Sequence, residues 1–340
     1  METRERLGYI DFMKGFCILI IVAFHINNEI YPHKLNLMLQ SFRIPLYYFL
    51  SGLFFKQYSG FVEFFRRKFN NIIVPYFFFM LLTCSIHCVL TLGVGVKWMG
   101  EWTWWSLLDP FMCRYYHYNT PLWFLISLFE VNIVYYLLQN ICPKRSGRYA
   151  LMFLMAFVAW YFRKTPVFNG CLYLDTVFMA MPYFVLGNEI KSLGLLKKNK
   201  RFDKWGYAVI VPVCVMLYFC SSKINLLIQS VPQFYKLYTV PFVAILTLFW
   251  FSKNLPKVPI VNYIGRYSIV VLGTHIVLIK LVKQALVFVM VQHLGLPGVN
   301  EWLIFAAVVL CELAVIPLMI RLFPKFTAQK ELIKPLLLKP

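Results

Sequence analysis

Residues 9–25 read YIDFMKGFCILIIVAFH, and the fold turns on how this stretch is read. It opens an apolar run long enough to enter a membrane, yet it carries Asp11, Lys14 and His25. Lys14 and His25 are eleven residues apart. At about 3.6 residues per helical turn, that spacing is within about 20° of three full turns. The two side chains therefore share one helix face, about 17 Å apart along the axis. Asp11 lies one turn before Lys14 on nearly the same stripe. Charged groups in a hydrocarbon layer are costly and persist mostly where they line a protein interior or a polar cavity. The residues alone leave a second reading open, in which Asp11 and Lys14 form a boundary ion pair and His25 is an interfacial histidine.

Working outward, composition sets the class. The 340 residues are 60% hydrophobic and 14% charged, with a mean hydropathy of +0.67. A soluble protein could not hide that much apolar surface, so an all-α, polytopic integral membrane protein is expected. Apolar segments at roughly 8–29, 41–56, 72–94, 121–141, 149–163, 174–190, 206–222, 234–252, 266–291 and 301–323 make about ten transmembrane helices. The net charge is +20, which invites a nucleic-acid partner. The basic residues instead concentrate in alternate connections, such as Arg66–Lys68, Lys144–Arg148 and Lys191–Lys204. By the positive-inside rule both termini are then cytoplasmic, and anionic membrane lipid accounts for the charge without nucleic acid. The chain reads as one membrane-embedded domain, residues 1–340, with a transmembrane core at about 8–323 and a cytoplasmic tail at 324–340.

The opening run is interrupted by Lys14 and lacks a small-residue cleavage site, so it is expected to be retained. None of the nine cysteines has zinc spacing, and no metal site is expected. Cys113 and Cys171 fall in loops on the same outer side, where a disulfide is an option.

The outer loop at roughly 95–120 is rich in aromatics. Its tryptophans read as an interfacial belt. The stretch RYYHYN at 114–119 joins flat rings to hydrogen-bonding groups, a mixture that suits a sugar. Tyr115, Tyr116 and His117, with Trp123 and Glu130 on the helix that follows, are the candidate substrate contacts. Other polar groups at membrane depth are Arg43, His275 and Glu312. Glu130 and Glu312 are also what structural cross-helix bonds would need. Two histidines, an arginine and a lysine with one carboxylate suit proton transfer on an anionic co-substrate, and equally a proton-coupled transporter. The hairpin FFRRKFNNIIVPYF supplies Arg66, Arg67 and Lys68, either as topogenic charge or as a phosphate clamp.

Taken in order, these motifs resemble the membrane acyltransferase family 3. The opening stretch resembles its first-helix pattern of a basic residue, ten residues and a histidine, here Lys14 and His25. SFRIPLYYFLSGLFF resembles its second-helix run closing in Ser-Gly, and RRKFNNIIVPYFFF its basic loop leading to Pro-Tyr. PLWFLISLF, MPYFVLGNEI and YIGRYSIVVLGTHIVLI resemble its later segments. The resemblance spans roughly 6–323 and is nearest the short fucose 4-O-acetylase-like bacterial branch. Two positions depart from it. Arg43 stands where that branch often has histidine, and Asn71 where the loop usually ends in a second basic residue.

The resemblance implies a multi-pass enzyme of the bacterial inner membrane. Such an enzyme would move an acetyl group from acetyl-CoA, a co-substrate rather than a resident cofactor, to a hydroxyl of a sugar or other glycoconjugate. On that reading His25 is the general base, with Asp11, Arg43 and His275 in the catalytic set. Lys14, Arg66, Arg67 and Lys68 would hold the donor. A glycolipid or polysaccharide-precursor transporter is the alternative, although its usual repeated halves are not evident.

Overall fold

The computed structural model describes residues 7–93, 95, 108, 111, 118–163, 173–196, 200–228 and 230–334. Among them no strand forms; Asn225 and Ser230 make only an isolated antiparallel bridge. The helices are α1 (Gly8–Ile26), α2 (His33–Leu53), α3 (Phe61–Lys68), α4 (Val74–Cys88), α5 (Trp123–Ile141) and α6 (Arg145–Tyr161). They continue with α7 (Leu174–Ser192), α8 (Lys200–Cys220), α9 (Phe234–Asn254), α10 (Pro259–Arg266), α11 (Ser268–Leu286) and α12 (Glu301–Leu322).

Among the described residues six spans are long and apolar enough to cross a membrane: Gly8–Ile26, Phe61–Gly93, Thr120–Ile141, Phe234–Asn254, Ser268–His293 and Glu301–Leu322. The other expected segments are helical as well, but they are shorter or more polar. α6 has 17 residues, and α7 carries Asp175, Glu189 and Lys191.

Two expected boundaries move. α2 starts at His33 rather than near residue 41, directly after Pro32, because Asn36 and Gln40 are buried at 8% and 7% exposure instead of ending the apolar run. The Arg66–Lys68 hairpin is helical, not a loop. α3 continues through a π-helical turn, Phe69–Ile73, into α4. Pro75 explains the wide turn: it has no N–H to donate to Asn71, and its ring crowds the carbonyl four residues back.

The chain divides into two compact units. The first comprises Met1–Phe55, Cys142–Lys164 and Asp175–Ser268. Its helices meet backbone to backbone at glycines. A Cβ on Gly15 would lie 1.9 Å from the Val261 oxygen, and one on Gly265 would lie 1.8 Å from the Asp11 oxygen, so α1 and α10 touch without side chains between them. Gly52 and Gly187 do the same for α2 and α7, against the Phe184 and Phe49 oxygens at 1.9 and 2.0 Å.

The second unit comprises Lys56–Ile141, Thr165–Leu174 and Ile269–Pro340. Gly273 of α11 lies flat on the Phe79 ring of α4, where a Cβ would sit 2.2 Å from the ring. α12 turns Ile304, Val308, Glu312, Ile316 and Met319 inward and leaves Leu310, Leu318 and Leu322 exposed. A helix apolar on both its inner and its outer face belongs in lipid.

Candidate active site

In the first unit, α1 is unbroken from Gly8 to Ile26. The eleven-residue spacing therefore holds, and Lys14 and His25 stand about 17 Å apart on one stripe. His25 is exposed in the last turn of α1. Its ring meets the edge of Phe24, with centroids 5.7 Å apart. The other partner of Phe24 is Arg43, whose guanidinium carbon lies 3.6 Å from the ring centroid. Phe24 thus brings the base candidate and a cation to one place, although α1 and α2 contribute them separately.

Arg43 is 9% exposed. Its backbone oxygen accepts from Cys17 Sγ at 2.9 Å, which ties α2 to α1 at this level. Tyr31, in the turn between the two helices, has its phenol raised by burial, while the Arg43 charge acts against that rise. At the other end of the stripe the Lys14 ammonium lies 5.2 Å from the Phe54 ring centroid, and the Lys14 oxygen accepts from Tyr47 Oη at 3.0 Å. Asp11 is buried in the first turn of α1.

The remaining described candidates lie in the second unit. Arg66 is bound through Nε and Nη2 to both Glu63 carboxylate oxygens at 2.8 Å. Arg67 also bonds Glu63, and its side chain is 39% exposed. Lys68 lies 5.8 Å from the Phe64 ring centroid. Trp123 and Glu130 share one face of α5, and both meet Tyr173. The Trp123 ring lies 5.8 Å from the Tyr173 ring, and Glu130 Oε2 accepts the Tyr173 N–H at 3.0 Å.

His275 is fully buried in α11. Its Nδ1 lies 2.8 Å from the Val271 oxygen, and since a carbonyl only accepts, Nδ1 carries the proton. Beside it in sequence, Thr274 donates to Glu312 at 2.9 Å. Tyr115, Tyr116, His117, Cys113 and Cys171 lie outside the described residues.

Sequence reasoning missed a second polar group in this unit. Asn119 Nδ2 donates to Thr83 Oγ1 at 3.0 Å and to the Gly273 oxygen at 2.9 Å. One turn beyond Thr83, His87 packs its ring on Tyr118 at 4.7 Å. Among the described residues, His87 Nε2 and Asn119 Oδ1 are buried without hydrogen-bond partners. Tyr118 and Asn119 close the RYYHYN stretch read as suiting a sugar, and the structure instead gives the Asn119 amide to Thr83 and the Gly273 oxygen, while Thr83 and His87 carried no local signal.

An acyltransferase-domain family model matches residues 7–321. No curated protein and no solved structure gives a match. The family match takes in the His25 stripe, the α3 basic helix, the PLW segment and the His275 helix in one continuous alignment, and on that ground the chain belongs to the membrane acyltransferase family 3.

Proposed function

We propose that this membrane acyltransferase moves an acetyl group from acetyl-CoA to a hydroxyl of a cell-surface sugar or polysaccharide precursor. The observation that carries the reading is the stripe on α1. An exposed histidine stands about 17 Å from a lysine on the same face, with Arg43 drawn to the histidine's neighbour Phe24. That length is comparable to the reach of a pantetheine arm.

Neutral His25 takes the proton of the acceptor hydroxyl. The oxygen attacks the thioester carbonyl, and the negative charge that develops on the carbonyl oxygen is met by Arg43. The carbon–sulfur bond then breaks, the thiolate leaves, and the imidazolium returns its proton to the sulfur. The oxyanion role goes to Arg43 rather than His275, because a neutral His275 protonated at Nδ1 offers only an acceptor at Nε2. Asp11 sets Lys14, and Lys14 contacts the donor. Arg67 and Lys68 meet the donor's phosphates, while Trp123, Glu130 and the Tyr115–His117 stretch are assigned to the acceptor.

All ten long helical segments are assigned to the membrane, with both termini cytoplasmic, the donor taken from that side, and the whole chain one acyltransferase domain of a bacterial inner membrane. No observation favours the transporter reading. The test is transfer from acetyl-labelled acetyl-CoA to lipid-linked or surface glycans in membranes carrying the parent or His25→Ala. Label in glycan only with His25 present supports the reading. Movement of intact glycolipid without label would replace it.

A further inference from the structure

The C-terminal end of α11 and the turns after it carry polar side chains that the proposed chemistry leaves unused. The helical span Ser268–His293 has 26 residues, more than the roughly 20 that cross a hydrocarbon layer. On the topology proposed above, its last turns stand in the outer headgroup region, where an acceptor glycan would lie. Those turns are not plain α-helix, because Val287–His293 is wound as a π-helix. Beside it lies a cavity of about 470 Å³, lined by Lys283, Gln284, Val287, Phe288 and Gln292. That volume falls in the range of small-molecule sites, about 300–1,000 Å³.

The π-winding makes these residues one surface. Lys283 and Val287 are one α-turn apart, as are Gln284 and Phe288. Gln292 lies nine residues after Lys283, which in an α-helix is about two and a half turns and the opposite side. In a π-helix residues five apart stack instead, and that sets Gln292 over Val287. The same spacing places His293 against Phe288, with the two rings near perpendicular and their centroids 4.7 Å apart. Phe288 is held there 54% exposed. Lys283, Gln284 and Gln292 are exposed as well. Among the described residues, Lys283 has no carboxylate partner.

The polar face continues inward within the same unit. Lys280 is one turn before Lys283 and Gln284, and it lies within electrostatic reach of His87 of α4. Gly273, two turns further in on that face, accepts from Asn119. His87 Nε2 and Asn119 Oδ1 lie buried there without hydrogen-bond partners among the described residues. A lysine that merely snorkels out of lipid stands over an apolar face. Lys283 stands over a face whose inner turns hold polar groups with hydrogen bonds to spare.

We propose that the cavity seats the acceptor as a lipid-linked saccharide, a sugar still joined through phosphate to its membrane carrier. The proposal rests on the acyltransferase reading and names the substrate class for it. The Lys283 ammonium meets the phosphate. The Gln284 and Gln292 amides each offer donors and an acceptor, which match sugar hydroxyls. The Phe288 ring stacks on the apolar C–H face of the sugar. A plain phospholipid headgroup would use the lysine and leave the ring and the amides short of counterparts. A finished polymer free of its carrier would leave the lysine without one.

The test follows acetyl label from acetyl-CoA in membranes carrying the full-length protein, separating lipid-extractable glycan from finished polysaccharide. Label is expected first in the lipid-extractable fraction, and mild acid, which cleaves the sugar–phosphate bond, moves it to the water phase. That fraction then serves as acceptor for the protein in phosphatidylcholine nanodiscs. Lys283→Gln and Phe288→Ala should each raise KM for the acceptor about tenfold, through loss of one charge-assisted contact or one stacked ring. Coenzyme A binding should stay at the parent level, and Lys283→Arg should recover most of the affinity. Both side chains are exposed, so neither variant threatens the fold.

Label that enters finished polysaccharide without passing through the lipid fraction, or a parent-like KM in either variant, would overturn the inference and leave acetyl transfer standing. A loss in Lys283→Gln seen only when phosphatidylglycerol is added to the nanodiscs would make the cavity an anionic-lipid site and overturn it as well. A parent that transfers no acetyl group to either fraction would overturn both readings.

Discussion

Two histidines in apolar helices of this chain have opposite settings. His25 closes α1, exposed, with Phe24 at its edge and the Arg43 guanidinium on the far partner of that contact. His275 lies within α11, fully buried, with Nδ1 held by a carbonyl of its own helix and its sequence neighbour Thr274 bonded to Glu312. Both read alike in sequence as an imidazole in a hydrophobic run. The difference is one of access. An exposed ring can exchange a proton with a substrate, whereas a ring locked to its own helix backbone holds the helix.

The contrast is most exposed to failure at His25. His25→Ala should lower acetyl transfer by about 10²- to 10⁴-fold with membrane insertion intact, the range for losing a general base. A rate within tenfold of the parent would remove the distinction between the two histidines. Next comes Arg43→Ala, expected to cost roughly 10²-fold in kcat, as for loss of one oxyanion donor. A change confined to KM would recast Arg43 as a binding group. His275→Ala should show in thermal unfolding instead, at about 1–3 kcal/mol of lost stability for breaking a buried hydrogen bond and opening a small cavity. Its turnover per folded molecule should stay within about tenfold of the parent; a larger fall in turnover without destabilisation would move His275 into the chemistry. The smallest effect belongs to Glu312→Gln. Glutamine keeps an acceptor for the Thr274 hydroxyl, so the same unfolding measurement should move by less than about 1 kcal/mol. A drop of several kcal/mol would mean that the charge at Glu312 matters.

Much of this was legible in the chain. The helical segments and the α1 stripe follow from apolar runs and from a period that any helix must obey. The pairing of Glu63 with Arg66 and Arg67 is an i,i+3 and i,i+4 relation and could have been read directly. The start of α2 could not, because Asn36 and Gln40 look like the end of a span until their burial is seen. Nor could the helical state of the Arg66–Lys68 stretch, since basic residues before a Pro-Tyr read as a connecting turn, whereas a π-turn lets the helix pass the proline. The His87–Asn119 group was hidden for a similar reason. Its members come from α4 and from the turn before α5, and neither local sequence announces the other.

The sequence by itself determined that this chain is helical, that it belongs in a membrane, and that Lys14 and His25 share a face, because hydropathy and helical period act over a few neighbouring residues. Only the tertiary structure decided which of its charges are available. Arg66 and Arg67 are adjacent and chemically alike, and both pair with Glu63 and Glu331; what separates them is the Ile333 oxygen, which accepts from Arg66 across 267 positions and helps leave its side chain 8% exposed against 39% for Arg67. His25 and His275 differ in the same manner, through the surfaces that cover one and leave the other open. Burial and partnership are set by residues distant along the chain, which is why local pattern names the candidates and packing selects among them.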